Sequence, residues 1–159
     1  MHAIESLVPG FDRALERTPG AAPAWRELER SIEEDALPDR TSALVRLAVA
    51  QHAGGEYSRW VAARLAAKQG ISAEDIFLAT AGTARNPRDA LMVNAAGTIA
   101  SKACFHDTAA FRELNEVLGS DSAPRVLAHV ALALLACDVL DSVAPGRQAT
   151  SSSRRGTWL

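Results

Sequence analysis

The chain has two cysteines, Cys104 and Cys137, too far apart for a redox pair or the close spacing of zinc ligands. Both read as small buried hydrophobes, the usual place for a free thiol. A large excess of either charge is also missing: 17 basic and 19 acidic residues give a formal net charge of -2, and so no bulk electrostatic pull towards nucleic acid or an anionic membrane. The longest uninterrupted apolar run, Val130 to Cys137, is bounded by His129 and Asp138 and falls short of the roughly 20 residues that span a bilayer. A buried core helix is the expectation. No basic region followed by an apolar stretch marks the N-terminus, so cytoplasmic residence is expected. Strand-period alternation is absent as well, and the four histidines never recur at i and i+4, so a helical zinc site has no support. The glycine pair Gly54-Gly55 follows a helical pattern instead of a strand, which removes a phosphate loop. No cofactor is expected.

What the chain does contain is helix grammar. Of its 159 residues 48% are hydrophobic and 23% charged, ordinary for one globular unit, and its alanine-rich runs favour helix. Pro23 opens a stretch with Trp25, Leu28 and Ile32 at spacings of three and four, which Pro38 stops, and a short helix around Phe11 to Glu16 precedes it. Thr41 or Ser42 can cap the next helix, where Leu44, Leu47, Ala48, Gln51 and His52 share a face. Gly54 and Gly55 end it by easing a left-handed turn, and a helix with Tyr57, Trp60, Val61, Arg64 and Leu65 follows almost at once, up to Gly70. So short a link implies an antiparallel pair across residues 40–69. Ser72 with Asp75 reads as a capping box, Asn86-Pro87 as a strong helix start, Asp107 as the cap of a helix with Phe111, Leu114 and Leu118, and Ser122 with Pro124 as the start of the last helix, to about Ser142. The polar segment after Pro145 and Gly146 reads as a disordered tail. The expectation is an all-α bundle of seven to eight helices, with an N-terminal extension over 1–39, a core over 40–144 and a tail over 145–159.

The segment from Leu44 to Ser58, with Gly55-Glu56-Tyr57-Ser58 at its end, resembles the alkylhydroperoxidase D and carboxymuconolactone decarboxylase superfamily. In that superfamily such a helix runs through a glycine into Cys-x-x-Cys, often with Glu-Tyr between the cysteines. The likeness continues through Ser72-Ala73-Glu74-Asp75-Ile76, Pro87-Arg88-Asp89-Ala90-Leu91 and Leu134 to Leu140. Gly55 and Ser58 stand at the cysteine positions, and Ala43 and Ala62 at those of the relay Glu and His. Peroxide reduction by thiols needs a low-pKa thiolate and a second thiol to resolve the sulfenic acid. The Cys-x-x-Cys peroxidase activity is therefore expected to be absent.

Two functions follow from the resemblance. One is a small cofactor-free enzyme acting by acid/base chemistry on a small organic acid, lactone or enolisable compound. His52 would then deliver the proton, Glu56 would orient it, and Arg46, Arg59 or Arg64 would hold the anion, with Tyr57, Ser58 and Trp60 lining the pocket. The other is an oligomeric binding or accessory protein that keeps the scaffold without the chemistry. An antioxidant role through Cys104 or Cys137 is a third, weaker reading. The resemblance also implies a homotrimer or hexamer. Each candidate has a bland alternative: a helix-end histidine for His52, a first-turn acid for Glu56, core packing for Tyr57 and Trp60.

Overall fold

The computed structural model describes residues 8, 11–17, 19–34, 37–101, 112, 115–117, 119 and 122–144. Seven helices account for most of them: α1 (Phe11–Glu16), α2 (Ala21–Glu34), α3 (Asp39–Ala53), α4 (Glu56–Lys68), α5 (Ala73–Thr80), α6 (Pro87–Ser101) and α7 (Ser122–Ser142). Among the described residues there is no strand. Of the helix expected from Asp107, Arg112 and residues 115–117 are helical and Gly119 takes φ +84 at its end; its start, together with Cys104 and the tail after residue 144, lies outside the described residues.

The bundle is arranged around α3, which packs against α4, α5, α6 and α7. Its face is wider than the sequence spacing suggests. Besides Leu44, Leu47 and Ala48, it buries Thr41, Ala43, Val45, Val49 and Ala50, whereas Gln51 and His52 at its end are exposed. A helix with so broad an apolar face belongs in an interior, and its alanines let neighbouring backbones come close. The main core packs α3 against Met92, Val93, Ala96 and Ile99 of α6 and against Val126, Val130, Ala133 and Cys137 of α7. A second cluster holds α1 and α2 against Val61 and Leu65 of α4 and Leu132, Ala136 and Leu140 of α7, with Phe11 edge-on to Trp25 at 5.4 Å.

Helix α7 thus lends one side to each cluster, which explains its high apolar content. Over Ala123–Ser142 it is long and apolar enough to cross a membrane by length and composition alone, a property that the shorter run Val130 to Cys137 does not reveal. In this fold it is a core helix.

Several helix boundaries follow from the sequence signals. Ser72 accepts a hydrogen bond from the Asp75 amide at 3.1 Å, and Asn86 Oδ1 accepts from the Arg88 amide at 2.8 Å. Gly70 takes φ +80 where α4 stops. Two expectations fail. Neither Thr41 nor Ser42 caps α3, which begins at Asp39 with Pro38 as its N-cap. Both hydroxyls are drawn to distant partners: Thr41 donates to Asp89 at 2.8 Å and Ser42 pairs with His129 at 3.2 Å. Nor is the Gly54-Gly55 turn left-handed, since their φ values are -85 and -74. Their need for glycine has another origin, described below.

A polar seam closes the outer edge where α3, α5 and α6 meet. Arg40 pairs with Asp75 at 3.0 Å and lies 3.8 Å from Asp89, while Arg85 reaches Asp75 at 3.3 Å. The Arg40 guanidinium, with help from the Ser72 hydroxyl, holds the Asp75 carboxyl below the usual carboxylate range. Ser72 thus serves both the α5 cap and this seam. Ser72→Ala should lower stability by about 1 kcal/mol in urea unfolding. A change within error would show that the cap contributes nothing.

Candidate functional site

The two residues between α3 and α4 set the geometry of the motif region. Gly54 closes α3 by donating its amide to the Ala50 carbonyl at 3.0 Å, and Gly55 is the N-cap of α4. The first amides of α4 have no partner within their own helix and carry the positive end of its dipole. Asp141, from the last turn of α7, answers both needs. Its Oδ2 accepts from the Gly55 amide at 2.5 Å and its Oδ1 from the Ser58 amide at 3.1 Å. The Ser58 hydroxyl, in a residue only 1% exposed, can donate to Asp141 Oδ2 or to the Gly55 carbonyl, each at 3.1 Å. One carboxylate therefore caps α4 and ties it to α7.

This cap accounts for both glycines. A Cβ on Gly55 would stand 2.9 Å from Cγ, Oδ1 and Oδ2 of Asp141, so that carboxylate fills the space in which any side chain, a thiol included, would begin. A Cβ on Gly54 would strike the Ser58 hydroxyl and come within 2.7 Å of the Ala50 carbonyl oxygen, which is backbone and cannot swing aside. Close approach, and not handedness, demands the pair. The position at which the resemblance places a reactive sulfur is occupied by an acid from another helix.

Cys137 lies one helical turn before Asp141 on α7 and is buried. Burial pushes its thiol up to about 11; the Ser58 hydroxyl bonded to it and the charge of Arg46 pull the other way, and Asp141 and Asp138 add to the rise. Such a thiol carries almost no thiolate near neutral pH and is a poor nucleophile.

Arg46 points inward. It lines a cavity of about 10 Å³, room for about one water, with Trp25, Ser42, His129 and Ala133. Burial lowers the pKa of its guanidinium, opposed by the negative charge of Glu29. His129 uses both ring nitrogens: Nε2 accepts from the Leu37 amide at 3.4 Å, which leaves the proton on Nδ1 to donate to the Ser42 hydroxyl at 3.2 Å. Burial, and then the charge of Arg46, lower its pKa from 6.5 to about 4. It is a neutral histidine joining α7 to Leu37, just before α3, and to Ser42 in the first turn of α3.

The remaining sequence candidates are spread over the surface. His52 is exposed, and its ring lies over Gly97 of α6, where a Cβ would come within 2.8 Å of the ring. Glu56, Arg59 and Arg64 are exposed on α4. Tyr57 stacks on Trp60 at 5.9 Å, with Tyr57 packed on the second cluster and Trp60 half exposed. Among the described residues no hydrogen bond or ion pair joins His52, Glu56, Arg59 and Arg64 to one another. Of the candidates, Ser58 is bonded to the Cys137 thiol, and the charge of Arg46 is felt there. Asp141 and the Arg46, Ser42 and His129 group were not legible in sequence, because their partners lie on distant helices. Among the described residues no three His, Cys, Asp or Glu side chains are grouped so as to hold a metal ion. Comparison with family models, with curated proteins and with solved structures found no match to this chain.

Two outcomes test this geometry. The backbone angles at Gly55 suit any residue, so Gly55→Ala should destabilise the native chain by about 1–3 kcal/mol through overlap with Asp141, and Asp141→Ala alone should cost about 2 kcal/mol in lost charged hydrogen bonds. In the Asp141→Ala background the same Gly55→Ala change should be neutral or slightly stabilising. Simple additivity in chemical denaturation would refute the overlap. For His129, the unfolded chain binds a proton between pH 6.5 and about 4 that the native chain does not. Its contribution is complete above 6.5 and declines as pH falls through that window. The melting temperature should therefore drop less steeply across the window for His129→Gln than for the parent; equal slopes would show that His129 does not titrate this way.

Proposed function

We propose that this chain is a divergent member of the alkylhydroperoxidase D and carboxymuconolactone decarboxylase superfamily that keeps the helical scaffold without thiol chemistry and works as an oligomeric binding or accessory protein. The observation that carries this reading is the Asp141 carboxylate seated on the Gly55 and Ser58 amides. At the same position a reactive thiolate would need that helix N-terminus to lower its pKa. Here the anion that benefits is a fixed acid with a capping role.

Further support comes from the packing. Ser58, Cys137 and Asp141 meet in the motif region, and Gly55 as N-cap with Ser58 in the first turn of α4 is compatible with the register of the resemblance. The acid/base enzyme reading has less behind it, since His52 is not joined to the acid and the cations that would work with it. The scaffold reading also gives the exposed Trp60, Phe77 and Leu135 side chains a use in assembly.

Purified protein should not consume an alkyl hydroperoxide at a rate that thiol alkylation abolishes, and light scattering at micromolar concentration should give a trimer or hexamer. Alkylation-sensitive turnover would refute the silent motif. A monomer would refute the assembly.

A further inference from the structure

We propose that the exposed face of α4 is where two copies of this chain meet, paired antiparallel about a two-fold axis at Trp60. The proposal rests on the oligomeric reading above and names the surface that would carry it. Trp60 is 49% exposed, although its ring is already stacked on Tyr57 at 5.9 Å with 13° between the planes. The chain thus fixes the indole in one orientation and leaves much of it in water. A large aromatic surface held in this way gains from burial and loses little freedom on docking.

The charges beside it select the partner. Glu56 and Arg64 stand one step of four residues before and after Trp60, and both are exposed. Among the described residues neither makes an ion pair or a side-chain hydrogen bond. Roughly 12 Å of helix separates them at the helical rise per residue, so they do not meet within one copy. Residues 56, 60 and 64 form a single i±4n ridge. When such ridges of two helices interdigitate, the axes cross at about 50° and the rows run side by side. Antiparallel rows centred on Trp60 set Glu56 against the partner's Arg64 and Arg64 against the partner's Glu56, the reciprocity that a two-fold contact requires. Parallel rows would set acid against acid and base against base.

The neighbouring row is small where the indole needs room. Ala63 is half-buried and Ala67 exposed, and they leave space for the partner's Trp60. Arg59 and Lys68, the other exposed charges of α4, lie about 100° and 80° around the helix from Trp60, on opposite flanks, at the helical 100° per residue. They stay at the rim of the contact, in water.

The test is the molar mass of the full chain in solution at micromolar concentration, by sedimentation equilibrium, for the parent, for Glu56→Arg, for Arg64→Glu and for an equal mixture of these two variants. The parent should be even-numbered, a dimer through this contact alone or a hexamer where a three-fold contact joins it. Each single variant places two like-charge pairs across the axis, which should raise the dissociation constant of the contact at least about ten-fold and halve the mass. In the mixture one variant carries only arginine and the other only glutamate at the two positions, so mixed pairs regain both attractions and the parent mass should return. A trimeric parent would overturn this contact and leave the oligomeric reading standing, whereas a monomer would overturn both. Folded variants that keep the parent mass, or a mixture that stays dissociated, would also overturn the contact.

Discussion

The constraint that organises this molecule is the burial of α3 on nearly all sides. From Thr41 to Ala50 every residue except Ser42 and Arg46 is buried, so other helices must cover the helix on most sides. Helices α4, α5, α6 and α7 do so, and their order along the chain is accommodated by short turns at Gly70 and Asn86. The polar residues at the N-terminal end of α3 cannot remain unpaired in such a place. Thr41 and Ser42 therefore reach across to Asp89 and His129, and capping is left to the backbone.

The same requirement shapes the motif region. A two-residue link between α3 and α4 leaves the N-terminus of α4 pressed against α7, where its amides need an acceptor. Asp141 supplies it, and the supply has a steric consequence: residue 55 has room for a hydrogen only. The nearby Cys137 thiol stays protonated mainly because it is buried, with Asp141 and Asp138 adding to the effect.

Much of the architecture was readable from local signals. Pro87 after Asn86, Ser72 before Asp75, and Gly70 at a left-handed position act within one helical turn, so the sequence carries them in plain sight. Gly54 and Gly55 were correctly placed as a boundary but for the wrong cause, because a close approach by Asp141 leaves no mark near residue 55. The functional side chains were harder still. His52 and Glu56 are close in sequence yet make no joint contact, whereas Ser58, Cys137 and Asp141 meet from two helices far apart in the chain.

Sequence alone determined that the chain is helical, where most described helices begin and end, and that a tight hairpin joins α3 to α4. Those properties depend on interactions spanning a few residues, which propensity and capping encode directly. Tertiary structure decided which faces are buried, why residue 55 is glycine, which histidine is kept neutral and which acid caps α4. Each of these is set by a neighbour brought in from another helix, and the cost of leaving a polar group unpaired, or two atoms in the same space, exists only once the helices have packed.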